Sequence, residues 1–86
     1  MQMNITQRTS SDVQHDLAIV RDEMNVAMAE SNLASARMRC DAPGTVAFAE
    51  AAADQRAALA RLGQLDRRRE DLQAEARTFY VRSLGG

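Results

Sequence analysis

Apolar and small residues recur through the first half of the chain at alternating steps of four and three: Val13, Leu17, Val20, Met24, Ala27, Ser31, Ala34 and Met38. Such steps bring one residue per turn to a single face, so they predict a long amphipathic helix with a heptad seam. The seam begins with Val, Leu and Met and thins to Ala and Ser, which lets a neighbouring backbone come close. Ser11-Asp12-Val13-Gln14 has the form of a capping box, so helix 1 is expected to start at Ser11, with Asp12 and Asp16 near the positive end of its dipole. The second half of the chain repeats the pattern. Phe48, Ala51, Ala58, Leu62, Leu65, Leu72, Ala76 and Phe79 form its seam, widened by Ala52, Leu59 and Tyr80 and interrupted by Gln55 and Arg69. Gly63 is a weak point there, costing about 1 kcal/mol relative to Ala in a helix interior.

Arg39-Cys40-Asp41-Ala42-Pro43-Gly44-Thr45 separates the two patterns. Pro43 disfavours helix at Ala42 and cannot continue the backbone ladder of the first helix. Asp41 is the first choice of cap for the second helix, with Pro43 in its opening turn, and Thr45 is the alternative. A connection of about four residues makes the helices antiparallel neighbours. The predicted fold is therefore all-α: a coiled-coil-like, two-helix antiparallel hairpin, completed by oligomerisation or a partner. Its parts are a flexible N-terminal arm over 1–10, helix 1 over about 11–40, a turn at 41–44 and helix 2 over about 45–83.

Charge allows two registers for this pair. One sets Asp16 near Arg68 and Glu23 near Arg61 but opposes Glu30 to Asp54. Shifted by a heptad, the other pairs Glu23 with Arg68, Glu30 with Arg61 and Arg37 with Asp54 but opposes Asp16 to Glu75. Exposed pairs are worth at most about 1 kcal/mol each, so charge does not choose between them.

Helix 1 carries a second apolar line. Ile19, Val26, Leu33 and Cys40 recur at intervals of seven, flanked by Ala29 and Ala36. At 100° per residue this line lies about 160° from the Leu17–Met24 line, so one partner helix cannot cover both. Helix 2 is expected to outlast helix 1 by about eleven residues, or about 16 Å. Its last turns, with Phe79, Tyr80, Val81 and Leu84, would then project past Ser11, to be covered by the arm with Met3 and Ile5 or by another protein. Tyr and Phe are favoured interface anchors. The candidate partner or oligomer interface is thus Ile19, Val26, Leu33, Cys40, Phe79, Tyr80, Val81 and Leu84.

Composition narrows the possibilities further. A chain of 86 residues makes one small domain, and at that size only about 60% of the unfolded surface is buried on folding. Its apolar content is mostly Ala, Leu, Val and Met, which suits close-packed helices and argues against a sandwich or barrel. All eleven basic residues are Arg, a bias that with the abundant Ala suggests a GC-rich bacterium or its phage. The net charge of −1 gives no overall case for nucleic acid or an anionic membrane. One cysteine excludes an internal disulfide and fits a reducing compartment. No apolar run resembles a signal peptide or a membrane span, so the expectation is a cytoplasmic protein.

Candidate chemistry is sparse. His15 falls on the polar face of helix 1, with no second His or Cys to complete a metal site. Cys40 stands at a helix C-terminus, without the dipole that lowers a thiol pKa, and reads as the last member of the second stripe. There is no phosphate-binding loop or nucleophile elbow. Carboxylate neighbours such as Asp22-Glu23 and Glu70-Asp71 point apart on a helix. The expectation is a protein with no catalytic residues, no metal, no cofactor and no small-molecule substrate. Arg61, Arg67 and Arg68 are a possible anion contact, but Asp66, Glu70 and Asp71 neutralise Arg67-Arg68-Arg69 locally, unlike the stripe of a nucleic-acid-binding helix.

Met38-Arg39 and Asp41-Ala42 at the turn, followed by Arg56-Ala57-Ala58-Leu59 in an Ala- and Leu-rich second helix, are similar to the small helical-hairpin co-chaperones of type III secretion systems. The long C-terminal extension departs from that pattern, and the resemblance assigns no site residue. The sequence points to a non-enzymatic protein–protein interaction module acting on a protein partner or as a homodimer: an adapter, a chaperone-like protein or an inhibitor. The alternatives are a structural subunit of a phage or secretion assembly and a nucleic-acid-associated regulator using the Arg61–Arg69 face.

Overall fold

A computed structural model describes residues 8–85 of the chain. Helix α1 spans Ser10–Cys40 and helix α2 spans Val46–Gly85, and the two pack against each other as an antiparallel hairpin. The Met3 and Ile5 arm residues lie outside the described range.

The first helix starts earlier than Ser11. Thr9 is its N-cap: the Thr9 hydroxyl accepts from the Asp12 amide at 3.1 Å, and the Asp12 carboxylate accepts from the Thr9 amide at 2.9 Å. Thr9 wins over Ser11 because it offers a reciprocal box closed by an anion, whereas a Ser11 cap would close on a neutral Gln14. Asp41 ends α1 and does not begin α2, its amide donating to Arg37 O at 3.0 Å. The Thr45 amide then donates to Ala42 O at 3.3 Å across Pro43 and Gly44. Gly44 has φ +88°, and Pro then Gly at the centre of such a turn is the type II signature. The Thr45 hydroxyl donates to Ala42 O at 2.7 Å and accepts from the Phe48 amide at 3.2 Å. Thr45 thus closes the turn and caps α2 with one side chain, a double role that Asp41 could not fill from the far side of the proline.

The predicted seam of α1 is inside: Val13, Val20, Ala27, Ser31 and Ala34 are buried, and Leu17, Met24 and Met38 are half-buried. Across it, Ala51, Ala58 and Leu72 are buried, with Phe48, Ala52, Leu62, Leu65, Ala76 and Phe79 half-buried. Leu59 and Tyr80 do not widen the seam; both are exposed. Each directly follows a seam residue, so it sits about 100° further round the helix. The large side chains gather at the open end, where Leu17, Met24, Leu65, Ala76 and Phe79 pack on Val13, Val20 and Leu72. Toward the turn the buried seam residues are Ala27, Ser31, Ala34, Ala51 and Ala58, with Met38 and Phe48 half-buried at its end. The result is a thin body of 61 × 34 × 14 Å.

Candidate interaction surface

The hairpin's register lies between the two that charge alone allows. Asp16, Glu23, Glu30 and Arg37 recur by sevens along one flank of α1, and Asp54, Arg61, Arg68 and Glu75 do the same on α2. Arg37 meets Asp54 at 2.8 Å, and Arg68 meets Asp16 at 3.8 Å. Arg61 reaches both Glu23 at 3.5 Å and Glu30 at 3.9 Å, so it joins the two candidate registers. The like-charged neighbours Asp16 and Glu75 are reconciled by Arg8, which lies 2.9 Å from Asp16 and 2.6 Å from Glu75. These contacts lift the Arg8 guanidinium further above its ordinary pKa, the Glu75 hydrogen bond most of all. Residues 8 and 9, expected in a loose arm, are therefore tied down by an ion clamp and a helix cap.

This ladder takes in part of the basic cluster. Arg61 and Arg68 are engaged across the hairpin, and Arg69 pairs with Asp66 on its own helix. Arg69, which breaks the apolar seam, is half-buried, and its Nε is buried with no hydrogen-bond partner among the described residues. Arg67 alone of the proposed anion contacts stays outside any ion pair among the described residues, and it is exposed.

Of the proposed interface residues, the stripe on α1 is where the spacing placed it. Ile19 is 43% exposed, Val26 51% and Leu33 64%. Cys40 is an exposed free thiol at the end of the same line. The stripe runs beside the ladder, on the side of α1 turned away from α2. The C-terminal group divides. Phe79 belongs to the hairpin's own core cluster, with the Arg82 guanidinium 5.7 Å from its ring centre. Tyr80, Val81 and Leu84 are exposed. Because α1 begins before Ser11 and Arg8 reaches Glu75, the overhang starts after Phe79, shorter than the sequence suggested.

A feature the sequence did not single out is a shallow groove on the other flank, lined by Leu17, Met24, Met28, Arg21, Arg69 and Gln73. Met28, 49% exposed, lies outside both apolar lines, so periodicity gave it no role. Among the described residues, no group of three or more His, Cys, Asp or Glu is placed to hold a metal ion, and no helix is long and apolar enough to cross a membrane. Compared with known protein families, with characterised proteins and with solved structures, the chain matches none.

Proposed function

We propose that this protein is a non-enzymatic docking module of the cytoplasm, a helical hairpin whose inner seam makes the fold and whose outer α1 stripe receives another protein surface. The observation that carries this is the exposure of Ile19, Val26 and Leu33 along one line of a helix whose opposite face is buried. Three large apolar residues at heptad spacing match the way helices meet partner helices. The engagement of Arg61 and Arg68 in the ladder supports docking over anion binding, because those guanidinium groups already have carboxylate partners. The adapter, chaperone-like and inhibitory roles all use such a surface, as would a subunit of a larger assembly.

Replacing Val26 with Asp tests the proposal. The side chain is half in water, so the variant should keep the helical circular dichroism and melting profile of the parent within about 0.5 kcal/mol. It should lose binding of an apolar dye and any association measured by light scattering. A variant that still folds, binds dye and associates like the parent would remove the stripe from the account.

A further inference from the structure

We infer that the occupant of the outer stripe is a second copy of this chain, packed antiparallel, α1 against α1; this rests on the docking role proposed above. The outer face of α1 is a second heptad seam: His15, Ile19, Asp22, Val26, Ala29, Leu33, Ala36 and Cys40 follow one another at steps of four and three. Large residues, Ile19, Val26 and Leu33, alternate with small or polar ones, Asp22, Ala29 and Ala36. A parallel pairing would stack like on like, Asp22 against Asp22 and Ala29 against Ala29, burying two carboxylates and leaving voids.

An antiparallel pairing interlocks instead. Leu33 faces Ala29 of the partner subunit, and Val26 faces Ala36 of the partner subunit. Ala29 and Ala36 then face the partner's Leu33 and the partner's Val26, giving four apolar layers with a large side chain opposite a small one in each. Asp22 moves to the edge of the contact, beside the partner's Cys40. Ile19 lies beyond the last of these layers, at the end of the partner's helix. Charge agrees with this sense. Glu23 and Arg37 flank the seam from the ladder side, and the antiparallel sense brings each near the opposite charge on the other copy, joining two ladders into one network. Glu30 meets its own counterpart at the axis, where Arg61 of the same chain, 3.9 Å away, offsets the repulsion.

The apolar layers span only 26–36, so the pairing is weak and concentration-dependent.

Cross-linking through single cysteines tests both occupant and sense. In the antiparallel dimer Asn32, exposed beside the seam on the flank away from the ladder, lies close to its own counterpart across the axis. The two Cys40 residues are about 27 Å apart by helix rise, beyond disulfide reach. N32C in a C40S background should therefore be captured as a dimer by a short bis-maleimide. The natural chain should not, and adding L33D should abolish capture with circular dichroism unchanged. Capture through Cys40 without capture through N32C would overturn the antiparallel sense. A single-chain mass up to about 1 mM, the weak limit of specific association, would overturn self-pairing. If that monomer still takes up apolar dye in a Val26-dependent way, the docking role stands and only the occupant is wrong; if it does not, both fall.

Discussion

The two seams of α1 have the same spacing and nearly the same length, yet one is buried and the other is bare. The inner seam faces α2 because Val13, Leu17, Val20 and Met24 find Leu65, Leu72, Ala76 and Phe79 across the hairpin. The outer seam has only Ile19, Val26 and Leu33 of comparable size, and its polar members Asp22 and His15 would be stranded inside a core. Periodicity creates both faces, and the polar residues within them decide which one folds the chain. The ladder reinforces that choice by lying along the edge of the inner seam.

Substitutions can break this contrast, and the largest effect belongs to Leu72, fully buried at the open end. Leu72→Ala should destabilise the hairpin by about 2–5 kcal/mol, read as a lower urea midpoint in dilute solution. Leu33→Ala, on the outer seam, should leave that midpoint within about 0.5 kcal/mol. Small residues sharpen the contrast in the other direction. Ala58 is 3% exposed in the half of the seam where helices meet through Ala and Ser, so Ala58→Leu should cost about 1–3 kcal/mol by overpacking. Ala29→Leu, on exposed backbone, should fold normally.

The turn comes next, because it reverses the chain between the two helices. Gly44 holds φ +88° with open space around its Cα, so Gly44→Ala meets no clash and should cost only the left-handed strain, about 1–2 kcal/mol. A smaller and pH-dependent effect comes from Asp12, whose carboxyl is held below the usual range by the Thr9 backbone amide and then by the Thr9 hydroxyl. A lowered folded pKa stabilises at pH above the unfolded value near 3.8 and loses that contribution as pH falls through the folded value. The thermal stability of the natural chain should thus exceed that of Asp12→Asn near neutral pH, with the gap closing in acid below about pH 4.

Much of this was legible from spacing. The inner seam, the hairpin sense and the exposed Ile19, Val26 and Leu33 all follow from steps of three, four and seven. The misplaced details share a physical cause, competition between nearby groups of similar strength. Thr9 and Ser11 both offer a capping hydroxyl, and only the reciprocal bond to Asp12 separates them. Asp41 and Thr45 both could cap α2, and the type II turn at Gly44 gives the role to Thr45. The register was ambiguous because pairwise charge counting moves by whole heptads, whereas Arg61 reaches two carboxylates at once. Arg8 was invisible to helix periodicity because it acts from outside the helix.

The central claim is that the inner seam folds the chain and the outer seam associates it. Light scattering across a dilution series, run on the natural chain and on Leu33→Asp alongside circular dichroism, tests it most directly. The natural chain should pass from one toward two times its 9.5 kDa mass as concentration rises, while Leu33→Asp keeps the same helicity and the mass of one chain throughout. Equal masses for the two at every concentration would contradict the claim.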